Sequence, residues 1–394
     1  MRSSISFTFL GLFILNLAAK DKLELENSYN NEENMSQDPK EMVKKYLKAA
    51  NQGNALAQLM LGSKYRDGQG VAQDFKEAAK WYSLAAKQGN IEAQNNLGVQ
   101  YLNGSGVKKD LKKAFGLFKM SSEKGNIEAM FNLGVMYFLG EEVPKNLEKA
   151  LKLFSLAAEK GHTESQGNLS EIYLKGIGVA QDNKVAIKWM TKAAKGGLPS
   201  AQYNLGQRYR NGQNVDQNFK EAAKWYTMAA KQGYASAQNS IGLMYSEGQG
   251  VEQDRKEAFK WIRMAAEQGL ASAKKNLGVM YFNGEGVEKD KKEALKWYTL
   301  AAKQGDVGAQ FSLGLMHYSG DGVPQDNEEA LKCFKMAARS SAEAKFSVGV
   351  MYVKGQGVDQ DKKEALKWFK MAADQGHING LNAYKQLSQE FQSN

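Results

Sequence analysis

The chain has 394 residues, a single cysteine, four prolines and a formal charge of +10. One cysteine excludes an internal disulfide framework, so any fold has to rest on packing alone. The basic balance points toward an anionic partner or toward plain solubility, and the placement of the lysines has to decide between them.

The amino terminus differs in kind from the rest. Arg2 precedes an apolar run from Phe7 to Leu17, which is followed by Ala18, Ala19 and Lys20. The run is too short to span a bilayer as a helix. Its order, basic then apolar then small, is that of a secretory signal peptide cut after Ala19. Residues 1–19 are therefore expected to be a leader, and the mature chain to be secreted or periplasmic. Residues 20–37, rich in Asn and Glu, read as a polar, disordered lead-in.

From Asp38 onward the chain repeats. Residues 38–54 form the second half of a unit and act as an N-terminal cap. Nine units follow, at 55–90, 91–126, 127–162, 163–198, 199–234, 235–270, 271–306, 307–341 and 342–377. Residues 378–394 begin a tenth and lose the pattern, as a terminal capping helix should. All six tryptophans, Trp81, Trp189, Trp225, Trp261, Trp297 and Trp368, occupy one slot of this unit, and Cys333 occupies it too. A residue that returns with every unit serves packing rather than chemistry, and a fixed period of this size marks a solenoid.

Within the first unit, Ala57, Leu61 and Tyr65 share one face of a short helix predicted over residues 56–66. Gly68-Gln69-Gly70-Val71 breaks it. Asp74 and Glu77 then predict a capping box, the Asp accepting from the N3 amide and the Glu reaching back. Ala78, Trp81, Tyr82, Ala85 and Ala86 form the apolar stripe of a second helix, which Gly89 ends. A glycine recurs in the middle of the first helix, as at Gly62, Gly206 and Gly278, where it costs about 1 kcal/mol against alanine. Close approach of a neighbouring Trp or Tyr is the expected reason. The fold class is all-α: a right-handed α-solenoid of about nine 36-residue helix-turn-helix units with capping half-repeats.

Catalytic and metal constellations are absent. His162, His317 and His377 lie far apart along the array, and no zinc-protease, nucleophile-elbow or phosphate-loop motif occurs. The recurring Gly-x-Gly-Val follows a helix, not a strand, and reads as turn chemistry. Cys333 reads as a small hydrophobe. The lysines, such as Lys256, Lys260, Lys292 and Lys296, sit beside Glu between the core positions of the second helices, the pattern of a solvated face. Contact with an anionic surface stays open; nucleic acid does not suit a secreted chain.

The pattern shown by Ala93-Gln94, Leu97-Gly98, Tyr101, Gly104-Ser105-Gly106-Val107, Asp110 and Ala114, and completed by Asp290, Ala294, Trp297, Ala301-Ala302 and Gly305, resembles the Sel1-like repeat family, relatives of the tetratricopeptide repeats. Ser170 for the helix glycine, Leu117 and Leu153 for Trp, and His317 for Tyr are local departures, expected to loosen packing slightly. The resemblance implies a non-catalytic interaction scaffold that needs no cofactor and no metal. It implies first helices lining a concave groove that captures a protein or peptide. The partner-contacting residues expected there are Phe131, Phe138, Tyr203, Arg210, Phe282, Phe311 and Phe346. Envelope complexes or host proteins are the partner classes the family suggests. Two other readings stay open. One is a cell-wall hydrolase of the β-lactamase-labelled relatives, which the missing cysteines disfavour. The other is an adaptor of the eukaryotic endoplasmic reticulum lumen.

Overall fold

The computed structural model describes residues 38–140 and 142–393. The expected leader and lead-in lie outside the described residues. The chain divides into two compact units, one ending at His162 and one beginning at Thr163. The first holds the helix Pro39–Asn51 and three helical hairpins, from Ala55–Asp67 with Phe75–Lys87 to Ile127–Leu139 with Leu147–Glu159. The second holds six hairpins, from Thr163–Lys175 with Asn183–Lys195 to Ala342–Lys354 with Lys362–Ala373, and then the helix Ile378–Ser393. Among the described residues every regular element is an α-helix, and each hairpin coincides with one repeat of 36 residues, or 35 in the eighth. Within each unit, second helices pack on the following first helices as well as on their own partners, which is the one-dimensional stacking of a solenoid.

Local chemistry sets the helix ends. Asp74 is the N-cap of the helix Phe75–Lys87, its Oδ1 accepting from Lys76 N at 2.8 Å and Glu77 N at 3.1 Å. The other half of the expected capping box is not made. Glu77 turns outward to Lys80 at 3.3 Å, as Glu257 does to Lys260 at 2.8 Å and Glu364 to Lys367 at 2.7 Å. The reason is local: the Asp74 amide that the Glu would meet donates to Tyr65 O at 2.9 Å, closing the hairpin. First helices have caps of their own in the last residue of the preceding repeat: Asn90 accepts from Ala93 N at 2.8 Å and Asn126 from Ala129 N at 2.7 Å.

In seven of the nine first helices the mid-helix glycine does meet an aromatic ring, and the ring belongs to the residue after the Trp slot; in the sixth, Gly242 meets Ile262 in that slot instead. A Cβ on Gly62 would lie 2.7 Å from the Tyr82 ring, one on Gly206 2.7 Å from Tyr226, and one on Gly278 2.7 Å from Tyr298. These rings are fully buried, as are Phe118, Phe154 and Phe334 in the same slot. The fourth repeat makes a paired exchange: Ser170 replaces the glycine and Met190 replaces the ring, both buried. A flexible thioether yields the space that the larger Ser side chain needs. Among the tryptophans of the slot, Trp81 and Trp225 are buried, 5% and 6% exposed, while Trp189, Trp261, Trp297 and Trp368 are half-buried. Cys333 in that slot packs with Tyr298 and Met316, and burial pushes its thiol up to about 11, so it stays an unreactive thiol near neutral pH.

Two further devices join neighbouring repeats. Gln202 Nε2 donates to Ala194 O at 3.0 Å, and Gln232 Nε2 donates to Gln202 Oε1 at 2.8 Å. Gln58 with Ala50 and Gln88, and Gln238 with Ala230 and Gln268, repeat the arrangement. The second glycine of the loop is held against the previous repeat: a Cβ on Gly106 or Gly250 would overlap the carbonyl of Phe75 or Phe219. The loop is therefore a backbone-to-backbone joint as well as a turn. Glu142 and Asn214 stand in this slot in the third and fifth repeats and keep the positive φ, at 58° and 62°.

Candidate protein-binding face

The expected partner-contacting residues all lie on first helices, Phe131 and Phe138 in the first compact unit and the rest in the second. All seven are half-buried. Phe131, Tyr203, Phe311 and Phe346 occupy the fifth position of their repeats. Each lays one ring edge on the buried aromatic of its own second helix: Phe131 on Phe154 at 6.0 Å between centroids, Tyr203 on Tyr226 at 5.6 Å, Phe311 on Phe334 at 5.4 Å and Phe346 on Phe369 at 5.6 Å. Part of each ring therefore belongs to the core and part faces outward, an arrangement suited to rigid anchoring.

The outward edge meets the last residue of the same repeat. Phe131 lies 4.8 Å from the His162 ring, Tyr203 5.3 Å from Tyr234 and Phe346 4.9 Å from His377. The histidines are oriented in turn by acids of the first helix. His162 Nε2 lies 3.2 Å from Glu128 and His377 Nε2 lies 2.7 Å from Glu343. His377 Nδ1 accepts from Gly380 N at 2.9 Å, so the ring caps the final helix. These histidines stack on rings of the first helices, and His377 also caps a helix. Among the described residues no three His, Cys, Asp or Glu side chains come together in a metal-holding group.

The remaining expected residues are pinned individually. Phe138 packs on Phe154 at 6.4 Å and has the Lys145 ammonium 5.7 Å above it. Phe282 has Lys289 at 5.9 Å and Lys291 at 5.8 Å. Arg210 pairs with Glu247 at 3.7 Å. Tyr203 is raised above the usual phenol range by burial, with the Ser240 hydrogen bond and the Arg210 charge opposing the shift. It stays neutral at physiological pH and accepts from Gln207 Nε2 at 2.9 Å. Lateral amide contacts cross from repeat to repeat on this face: Asn132 donates to Asn95 at 3.0 Å, and Asn276 to Asn239 at 2.9 Å.

One residue of this face stands out by its exposure, and sequence reasoning missed one column on another face. Leu315, at the ninth position of its repeat, is 46% exposed, whereas Leu243, Val279 and Val350 in the same slot are half-buried. On the second helices, Leu84, Met120 and Leu156 recur at the thirtieth position and are exposed. The signal was present in the repeat alignment of the chain with itself, where this outward slot is apolar while its neighbours are polar.

The Sel1 repeat model matches nine consecutive segments, 55–90, 91–126, 127–162, 163–198, 199–234, 235–270, 271–306, 307–341 and 342–377. Among solved structures, the chain is similar to c5321, a protective antigen present in uropathogenic Escherichia coli strains and displaying an SLR fold. The two share 32% identity over 93% of this chain and 79% of that one, with a TM-score of 0.78. It is also similar to a Sel1 repeat protein from Oxalobacter formigenes, at 34% identity over 78% of this chain and 89% of that one, with a TM-score of 0.59. No curated protein sequence matches the chain.

Proposed function

The chain belongs to the Sel1 repeat family, and from that premise we propose that it is a non-catalytic scaffold holding a protein partner along the first helices of its second compact unit. Sel1 repeat proteins are generally protein-interaction scaffolds, and the fold is typically non-enzymatic. The observation that carries the reading is the Leu315 column. Leu243, Val279, Leu315 and Val350 place one branched apolar side chain at the same point of four consecutive repeats. Phe282, Tyr318 and Val353 flank them three residues on, with Phe311 and Phe346 beside them. Apolar residues at a fixed spacing on a rigid frame suit the apolar side chains of an extended segment or an amphipathic helix. Their fixed rings reduce the ordering entropy lost on binding.

The test compares two faces. Leu315→Asp should weaken a partner recovered by pull-down by about 1–2 kcal/mol or more, the usual size for an anchor position. Lys256→Glu with Lys260→Glu, on the second helix, should change mainly association rate and salt dependence. Circular dichroism checks that each variant is folded. A folded Leu315→Asp protein that binds like wild type, beside a charge reversal that abolishes binding, would overturn the proposal.

A further inference from the structure

The second helices of the second compact unit present a feature that protein capture on the first helices does not use. Met228, Met264, Leu300, Met336 and Met371 occupy the thirtieth position of five consecutive repeats and are between 36% and 45% exposed. Only in the fourth repeat is the slot polar, as Lys192. The outward positions around it are polar in the same helices, so the slot is an exception within the chain's own pattern. Exposed apolar residues scattered singly need no explanation; one that returns at the same exposed point of consecutive repeats does.

Their neighbours carry positive charge. One turn before each apolar residue stands a lysine: Lys224, Lys260, Lys296, Lys332 and Lys367, with side chains 58%, 68%, 59%, 67% and 71% exposed. Each of these pairs with the Glu three residues before it, on the side away from the apolar residue. A second cation of the same helix is added at Lys231, Arg263, Lys303, Lys335 or Lys370. Arg263 is matched by Glu267 at 2.7 Å, and Lys335 donates to the Tyr352 hydroxyl at 2.9 Å. Around Met336 the surface dips shallowly between Leu331, Lys332, Lys335, Arg339 and Glu328. In each of these repeats the exposed apolar side chain stands as a knob beside the cations named above.

We propose that this second-helix face docks on a bilayer surface bearing anionic lipid headgroups. A protein partner would have to offer a fitted hollow for each knob. A lipid interface accepts isolated, flexible Met and Leu side chains wherever they fall and supplies negative charge between them. Lysines beside the knobs can keep their ammonium groups among the headgroups while their stems lie along the apolar surface. The face is separate from the Leu315 column, so the two readings can fail independently.

The experiment is co-sedimentation of the full chain with phosphatidylcholine vesicles, with and without phosphatidylglycerol. The apolar run Phe7–Leu17 is present in every variant, so differences between variants report the face alone. Wild type should bind the anionic vesicles preferentially, and salt should weaken it. Replacing Met228, Met264, Leu300, Met336 and Met371 with Ser should lower binding about tenfold or more, since affinity follows buried apolar area. Because the five substitutions together could disturb folding, Lys192→Leu supplies a second reading: filling the missing knob should tighten binding even as it removes a charge. Absence of phosphatidylglycerol-dependent sedimentation overturns the proposal. So does wild-type binding by a folded Ser variant, or weaker binding by Lys192→Leu. Vesicle binding absent while soluble polyglutamate binds in a knob-dependent way would assign the face to an acidic polypeptide instead.

Discussion

Trp225 and Tyr226 are adjacent in the chain and serve opposite joints. Trp225 packs with Met190, Ala193 and Ala194 of the preceding second helix, Leu198 at the joint, and Ala201 and Leu205 of its own first helix. Tyr226 lies over Gly206 and Tyr203 of its own first helix and reaches on to Ala237 and Ile241 of the following first helix. Both touch their own first helix, but beyond it one slot reaches back along the stack and the next reaches forward. The second helix is thus the shared wall of two cores, and no repeat owns a core of its own. The difference also separates recurrence from depth. Tryptophan is the most visible mark of the repeat, yet the ring after it is the more completely enclosed.

The seventh repeat offers the sharpest way to break that comparison. Tyr298 is enclosed and Trp297 is half-buried. Tyr298→Ala should leave a closed cavity and cost about 3–5 kcal/mol, while Trp297→Ala opens a site that can collapse or admit water and should cost about 2–3 kcal/mol. The direction of damage should differ as well. Tyr298 lies in a cluster with Ala309, Leu313 and Met316, and Trp297 packs against one containing Ala258, Ile262 and Leu277. Hydrogen exchange should therefore rise in repeats seven and eight for the first variant and in six and seven for the second. Identical exchange maps would show that the two slots do not face different neighbours.

The exchange in the fourth repeat can be moved to the fifth. Gly206→Ser alone forces a side chain into the Tyr226 ring and should cost about 1–3 kcal/mol. Tyr226→Met alone leaves space over the glycine. The double variant rebuilds the Ser170/Met190 pair and should recover about 1 kcal/mol or more relative to the sum of the single changes. Urea unfolding of the four proteins in the cycle measures the coupling. Strict additivity would mean that the fourth repeat tolerates Ser170 for a reason other than its partner.

Much of the fold was legible because every helix is short and every constraint returns at the same spacing. The repeat boundaries, the glycine breaks, the Asp caps and the close approach over the mid-helix glycine all follow from local pattern and are all present. What did not follow was the partner of each group across a joint. Gln94 is visible as part of the pattern, yet its bond to Ala86 O at 3.3 Å depends on which carbonyl the previous repeat leaves free. The depth of Tyr226 relative to Trp225 depends on which face the next hairpin covers. At the candidate site the sequence identified aromatic positions on first helices. It could not divide each ring between core and surface, because that division is made by the residue ending the repeat, Tyr234 for Tyr203 and His377 for Phe346.

The smallest effect concerns the helix caps, where the expected reciprocal bond and the observed one can be told apart. Asp254 Oδ1 accepts from Lys256 N at 2.9 Å and Glu257 N at 3.0 Å, while Asp254 N donates to Tyr245 O at 3.0 Å. Asp254→Ala should therefore cost about 1 kcal/mol, the loss of an N-cap, and the cost should persist in high salt because the bonds to the amides are short-range. Glu257 has only Lys260 as partner, an exposed pair one turn along the helix. Glu257→Ala should cost much less than the cap, and raising the salt should erase the difference from wild type. Thermal unfolding of both variants at low and high salt separates the two. A Glu257→Ala cost equal to that of Asp254→Ala and insensitive to salt would restore the capping box, and would mean that the Tyr245 carbonyl releases the Asp254 amide in solution.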